Sequence, residues 1–114
     1  MLHRGLENPG PCGPLDPARE AALERHLLSF VRNKGGLAVK LQGPGNEGMP
    51  DRLVVTPGGR MGFLELKRKG ELPRPLQLHK MNELAARGCV VGWADDRESV
   101  ERFVNVLMGN EGEV

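Results

Sequence analysis

Apolar residues recur every three or four positions in two stretches of the chain, a spacing typical of helices that bury one face. Residues 18–34 form the first stretch, with Asp16-Pro17 before it and Gly35-Gly36 after it as the expected helix ends. Residues 76–87 form the second, and Gly88 follows it. The apolar side of this second predicted helix carries Leu76, Met81, Leu84 and Ala85.

Four shorter stretches have the composition of β-strands. Residues 37–42 alternate large apolar side chains with small or polar ones. Residues 52–56 and 61–67 flank a short turn rich in glycine, which predicts a hairpin. Residues 89–93 form a continuous apolar run, which predicts a central strand that is buried on both faces. Cys89, at the start of that run, is expected to be a buried small hydrophobic residue.

Helical spacing returns near the end of the chain, where Asp95 or Asp96 can cap a last helix that runs to about Met108. The predicted order of elements is αβββαβα, which indicates an α/β fold with a mixed sheet and helices on both faces. The expected organisation is a flexible leader over residues 1–15, a folded domain over residues 16–109 and a frayed acidic tail over residues 110–114.

Composition excludes several classes of protein. The chain has 114 residues, enough for one domain, and its 39% hydrophobic and 27% charged residues are ordinary for a soluble protein. No apolar run approaches the roughly 18 residues that a membrane span needs, and no apolar segment indicates a secretory signal. Cys12 and Cys89 have no zinc-site or disulfide spacing. An intracellular, cytoplasmic setting without a membrane is therefore expected.

Charge is informative only locally, because the net charge is +1. Basic residues are concentrated in one stretch that begins at the end of the third predicted strand, and such a patch can contact phosphate even on a nearly neutral protein. A solvated helix or loop surface explains the same run. The stretch contains Lys67, Arg68, Lys69, Arg74 and Lys80.

Two carboxylates and a lysine are predicted to meet at one end of the hairpin. Glu65 and Lys67 are two positions apart on a strand, so they project from the same face of the sheet. Asp51 begins the preceding strand, which places it opposite that end of the third strand, about 5 Å away across the hairpin. The predicted hairpin therefore brings Asp51, Glu65 and Lys67 together.

This arrangement suits chemistry on phosphate. Mg²⁺ prefers oxygen ligands and is often held by only one or two carboxylates, with water and substrate phosphate completing its shell. Such an ion activates water and polarises a phosphoryl oxygen, and Lys67 beside it can stabilise developing negative charge. An exposed cross-strand ion pair between Glu65 and Lys67 is the alternative explanation of the same residues.

The ordered motifs resemble a known family. Gly48-Met49-Pro50-Asp51-Arg52, then Phe63-Leu64-Glu65-Leu66-Lys67, then Gln77 are similar to the VRR-NUC branch of the PD-(D/E)XK nucleases, and the resemblance spans roughly residues 19–107. It implies a restriction-endonuclease-like fold and Mg²⁺- or Mn²⁺-dependent cleavage of DNA. For stand-alone, phage-type members it also implies a homodimer that acts on branched DNA such as four-way junctions.

The resemblance assigns roles to individual residues. Asp51 and Glu65 match the metal ligands, Lys67 matches the catalytic lysine, and the backbone carbonyl of Leu66 matches a further ligand. Gln77 matches a glutamine that holds a metal-bound water or a phosphate oxygen.

The family also has a glutamate on the first helix. Glu20 matches it best and Glu24, one turn later, is the alternative. Lys40 matches a basic position near the scissile phosphate. Arg52 can contact phosphate or pair with a carboxylate, and the basic stretch Arg68, Lys69, Arg74 and Lys80 is expected to contact DNA.

The leading hypothesis is a structure-selective endodeoxyribonuclease that resolves four-way (Holliday) junctions as a homodimer. A phage or prophage is its expected source. A flap or nicking endonuclease has the same chemistry and remains open. A DNA-binding module without catalysis and a structural domain with a Glu65–Lys67 ion pair are the alternatives of other classes. The sequence leaves open the cut position, the preferred metal and the biological pathway.

Overall fold

The computed structural model describes residues 17–109 apart from 42–44 and 46, with side chains from residue 21 onward. Its seven elements follow the predicted order αβββαβα, with bounds within two residues of those expected from the spacing. They are α1 (Pro17–Asn33), β1 (Leu37–Lys40), β2 (Arg52–Val55), β3 (Met61–Leu66), α2 (Pro75–Ala86), β4 (Val90–Ala94) and α3 (Arg97–Met108). The expected leader, the cap at Asp16 and the tail lie outside the described residues.

The strands form one mixed sheet in the order β1-β2-β3-β4. The first three strands are antiparallel neighbours, and the short connection between β2 and β3 is the predicted hairpin. β4 lies parallel to β3, because the chain crosses back through α2 before it re-enters the sheet. The fold class predicted from the sequence is confirmed.

Helices cover the two faces of the sheet unequally. α1 and α3 pack on one face around a core that includes Leu27, Val54, Leu64 and Phe103. Gly62 lets α3 approach β3 closely, since a Cβ there would lie 3.1 Å from side-chain atoms of Phe103 and of Leu107. α2 packs on the other face through a smaller cluster, formed by Met81, Val91 and Trp93 with Phe63, Leu84, Ala85 and Cys89 around them.

Three details of the sequence analysis are wrong. β4 was predicted to be central but lies at the end of the strand order. Its residues 91–94 are nevertheless buried, because α2 and α3 cover its two faces. The continuous apolar run therefore indicated burial on both faces but not a central position. Cys89 is only partly buried. Leu76 is 52% exposed, and the buried side of α2 begins instead at Gln77.

Asp96 caps the last helix, as one of the two alternatives predicted. Its carboxylate accepts a hydrogen bond from the backbone N–H of Ser99 at 2.8 Å, which satisfies one of the free donors at the start of α3. Asp95 is buried and accepts a hydrogen bond from the N–H of Gly70, so it holds the loop after β3. Within the described residues, no helix has the length and apolar character of a membrane span.

Candidate active site

The hairpin joins Asp51 and Glu65 through two reciprocal hydrogen bonds. Arg52 pairs with Leu64 in the β2–β3 register, so the next residues outward, Asp51 and Glu65, face each other. The backbone N–H of Asp51 donates to Oε1 of Glu65 at 3.1 Å, and the N–H of Leu66 donates to Oδ2 of Asp51 at 3.3 Å. Each carboxylate is therefore fixed by the backbone of the opposite strand, as the predicted hairpin requires.

Glu65 is the most buried acid of the site, with only 3% of its surface exposed. Its Oε2 accepts a hydrogen bond from the Gln77 amide at 2.8 Å and forms an ion pair with Nζ of Lys67 at 3.2 Å. Burial, and secondly the nearby charge of Asp51, raise the pKa of Glu65 above 4.5, against the opposing effect of Lys67. A second positive charge near the two carboxylates would stabilise their ionised forms.

Lys67 is held at the same place from two sides. Its backbone N–H donates to the carbonyl of Ala94 on β4, and its side chain is 8% exposed beside Glu65. The ion-pair alternative from the sequence is thus present as a contact, but it is not an exposed surface pair. A buried, charged pair is weak evidence for stability, because desolvation offsets much of its attraction. Its position beside an open pocket points to chemistry instead.

The pocket lies between the end of the hairpin and α1 and has a volume of about 320 Å³. Asp51 and Lys67 line it directly, and the described residues that complete its wall are Ala21, Leu23, Glu24, Lys40 and Leu66. Glu65 and Gln77 stand behind this wall, in contact with Lys67 and Glu65 respectively. A phosphate that enters the pocket meets Lys67, Lys40 and the Asp51 carboxylate.

Glu24 is the helix-one carboxylate that the described structure places in the pocket. It forms an ion pair with the buried guanidinium of Arg52 and lies 3.7 Å from Nζ of Lys40. The side chain of Glu20, which the sequence analysis preferred, lies outside the described residues. The alternating pattern of β2 places Arg52 on the α1 side of the sheet, but it does not determine which turn of α1 carries its partner.

Arg52 takes the second of its two predicted roles, pairing with a carboxylate. Its side chain is 8% exposed, and Nη1 also reaches the carbonyl of Ala38 at 3.5 Å. A side chain this buried does not present its charge to a nucleic acid, so the expected phosphate contact of Arg52 is not supported.

Gln77 does not present a free amide to the pocket. Its Nε2 donates to Glu65, and its Oε1 accepts the backbone N–H of Arg74 at the start of α2. Both ends of the amide are therefore used within the chain, and Gln77 positions the carboxylate of Glu65. The family resemblance identified Gln77 but implied a contact with water or phosphate, and sequence spacing does not reveal which group an amide meets.

The segment before Asp51 needs its glycine. Gly48 has a φ of +81°, which favours glycine, and a Cβ there would lie 2.8 Å from Cγ of Leu76 on α2. The following Pro50 is fully buried. The Gly-Met-Pro-Asp motif thus packs the loop tightly against α2 and fixes the approach of Asp51 to the hairpin.

Most of the predicted DNA-contacting cations lie away from the pocket. Among the described residues of the basic stretch, Arg68 contacts Glu71, Lys69 pairs with Asp96 at 2.8 Å, and Lys80 contacts Glu83. Arg74 is exposed just before α2. Of the predicted nucleic-acid-binding residues, only Lys40 lines the pocket.

The donor set fits a hard divalent cation. Asp51 and Glu65 supply carboxylate oxygens, and the carbonyl of Leu66 lies on the strand between Glu65 and Lys67. Within the part of the chain that the structure describes, no group of three or more His, Cys, Asp or Glu side chains is placed to hold a metal. An ion held here would take its other ligands from the main chain, water and substrate, which is the usual coordination of Mg²⁺.

Comparisons with known proteins point the same way. No family profile matches the sequence. The chain is 49% identical over 89 residues to a protein named "Putative nuclease p44" from Acyrthosiphon pisum secondary endosymbiont phage 1, an alignment that covers 76% of this chain and 96% of that protein. It is also similar to a solved structure described as a VRR-NUC domain, with 29% identity and a TM-score of 0.70, over 75% of this chain and 94% of the other.

Proposed function

Because this chain belongs to the VRR-NUC family of nucleases, of the phage type and with the restriction-endonuclease-like fold, we propose that it is a metal-dependent endodeoxyribonuclease that cuts branched DNA. Its expected substrate is a four-way junction, which it resolves as a homodimer. The observation that carries the proposal is the convergence of Asp51, Glu65 and Lys67 at an open pocket.

Each residue has a distinct part in the proposed reaction. Asp51 and Glu65, with the carbonyl of Leu66, hold a Mg²⁺ or Mn²⁺ ion, which when bound supplies Lewis-acid activation of water and phosphate. Lys67 orients the attacking water and stabilises the negative charge that develops on the phosphoryl oxygens. Gln77 keeps the carboxylate of Glu65 in place through its amide. Lys40, at the pocket wall, binds the phosphate backbone.

Recognition of DNA by shape follows from the composition. The chain contains one Trp and no Tyr, and Trp93 is only 4% exposed in the core below α2. Base stacking on aromatic rings, which proteins that bind single strands use, has little support here. Phosphate contacts and the shape of a branch remain as the means of recognition. A two-fold dimer matches the two-fold arrangement of strands in a four-way junction.

The test is a matrix of substrates and metals. Labelled four-way junction, 5′-flap and linear duplex are incubated with Mg²⁺, Mn²⁺ or EDTA, and the products are sized on denaturing gels. The proposal predicts metal-dependent cuts at paired, symmetric positions of the junction. Cutting of flaps alone would move the substrate to the flap class, and DNA binding without cutting under every metal would contradict a nuclease.

A further inference from the structure

One face of the sheet exposes a block of large apolar side chains. On this face, α2 covers only β4 and part of β3. The strand register there aligns two rows of three residues across β1, β2 and β3. The first row is Leu37, Val55 and Met61, and the second is Val39, Leu53 and Phe63. These six residues are called the apolar sheet face below.

The apolar sheet face is apolar where a solvent-exposed sheet face would be polar. An antiparallel sheet that meets water on one side normally presents polar residues there. Here Leu37 is 62%, Met61 57% and Val39 44% exposed. The charged residues of β1 and β2, Lys40 and Arg52, turn instead to the opposite face, where both contact Glu24 of α1. The pattern of β1 and β2 therefore predicts burial of a face that the single chain leaves open.

We propose that a second copy of this chain covers the apolar sheet face, and that this face is the centre of the homodimer on which the proposed junction cleavage depends. None of the six side chains is charged, so two copies related by a two-fold axis meet without like-charge contacts. The same absence of charge excludes DNA from this face, because phosphate binding needs cations.

The area is consistent with a dimer. Three side chains about half exposed and three partly exposed leave an apolar area on the order of 400 Å². The largest apolar patch on a typical monomer covers about 300–600 Å² and is often functional. A stable interface buries about 800 Å² on each partner, with an apolar centre and a polar rim. The exposed hairpin turn, residues 57–60, adjoins the face and can supply part of that rim.

Residues 1–16 are a poorer cover for this face. Their sequence contains three prolines and three glycines, and only Leu2, Leu6 and Leu15 among large aliphatic residues other than Met1. Three separated leucines do not match two rows of three large side chains, whereas a second copy presents six. A dimer also places two active sites on one particle. Each site adjoins this face, because Leu41, which follows β1, donates its N–H to the carbonyl of Asp51.

Two valines allow a matched test. Val39 lies on the apolar sheet face and is 44% exposed, and Val106 lies on α3, on the other side of the sheet, and is 55% exposed. Val39→Lys and Val106→Lys add the same charge at exposed positions, so neither should disturb folding. The full-length chain and both variants are compared by sedimentation velocity over a dilution series, with circular dichroism as the check on folding.

The expected result is a wild-type particle with twice the chain mass of 12.5 kDa. Val39→Lys should raise the dimer dissociation constant at least 100-fold, and Val106→Lys should leave it unchanged. Should Val39→Lys fail to fold, Leu37→Lys decides, since Leu37 is the most exposed residue of the face.

A wild-type chain that is monomeric at every concentration, a dimer that survives both face variants, or equal loss in Val106→Lys would overturn the inference. The nuclease proposal is judged separately by the cleavage assay. A monomer that cuts the junction would contradict only the proposed interface. A dimer that forms through this face but never cuts DNA would contradict only the proposed nuclease activity.

Discussion

Gln77 provides the sharpest link between the stability of the fold and the geometry of the site. Its amide makes two hydrogen bonds of 2.8 Å, one to the carboxylate of Glu65 and one from the backbone N–H of Arg74. Gln77→Met keeps the volume of the side chain and removes both bonds. A hydrogen bond to a charged group contributes about 1.5–3 kcal/mol and a neutral one about 0.5–1.5 kcal/mol. The expected loss in the free energy of unfolding is therefore about 2–4.5 kcal/mol.

A second substitution separates the two bonds. Gln77→Glu retains an oxygen that can accept the N–H of Arg74, but it replaces the amide donor with a carboxylate beside Glu65. Two carboxylates at this distance cannot both ionise without strong repulsion, so the folded chain holds an extra proton that the unfolded chain releases. Stability must then fall as the pH rises through the raised pKa of the pair. The loss of stability caused by Gln77→Glu should therefore be larger at pH 8 than at pH 5. Gln77→Met should instead lower the stability at both pH values.

Urea unfolding followed by the fluorescence of Trp93 measures both effects. Trp93 is the only tryptophan and packs with Met81 of α2, so its emission reports on the helix that carries Gln77. Asn82→Met, at an exposed position of the same helix, is the matched control and should change stability by less than about 0.5 kcal/mol. A loss below about 0.5 kcal/mol in Gln77→Met, or a Gln77→Glu variant as stable as wild type at pH 8, would refute the positioning role.

Three further predictions concern the core, the acid and the ion pair. Gly62→Ala places a methyl group 3.1 Å from side chains of α3, so it should destabilise the chain by about 1–3 kcal/mol and lower the Tm in calorimetry; an unchanged Tm would contradict the packing. Burial, and secondly Asp51, raise the pKa of Glu65 above 4.5. The folded chain therefore binds the proton of the Glu65 carboxyl more tightly than the unfolded chain does. The stability of the wild type should fall relative to that of Glu65→Gln as the pH rises from 4.5 through the raised pKa. Parallel curves for the two proteins would count against the burial of a charged Glu65. Arg52→Met removes one partner of an ion pair whose other member, Glu24, is 36% exposed and stays near Lys40. It should therefore cost less than the roughly 3–5 kcal/mol that breaking a fully buried pair costs. It should nevertheless slow junction cleavage as much as Glu24→Gln does, with no further loss in the double variant; additive losses would show that the two residues act independently.

The sequence was sufficient for the parts of the fold that depend on spacing and turns. The glycine-rich turn set the β2–β3 register, and that register alone brings Asp51 opposite Glu65. Helix α2 was predicted, but its buried side was not, because the residue that faces the sheet is the polar Gln77 and the apolar Leu76 lies outside. Only the tertiary partner, the carboxylate of Glu65, explains why a glutamine is buried at that position.

The place of each strand in the sheet was harder to predict than its existence. A run such as Val90–Ala94 is apolar whether a strand is central or is covered by helices at the end of the sheet. The alternation in β1 predicted a strand with one apolar face, but the described chain leaves that face, with Leu37 and Val39, exposed. Alternation reports that a face is to be buried and does not report whether the same chain buries it.

The choice between Glu20 and Glu24 shows a similar limit. Both lie on one face of α1, one turn apart, so helical spacing cannot distinguish them. The structure favours Glu24 through a partner on another element, the buried guanidinium of Arg52. The role of Glu20 stays a prediction.

The most direct test of the account is the rate of junction cleavage by Lys67→Ala under single-turnover conditions with Mn²⁺. Lys67 contacts Glu65 and lines the pocket, whereas Lys34 stacks over Phe30 at the end of α1, away from the pocket lining, so Lys34→Ala is the matched lysine control. Loss of a charge that stabilises the transition state should lower the rate at least about 100-fold, with Lys34→Ala close to wild type and both variants folded. Full activity in Lys67→Ala would contradict the assignment of this pocket as the active site.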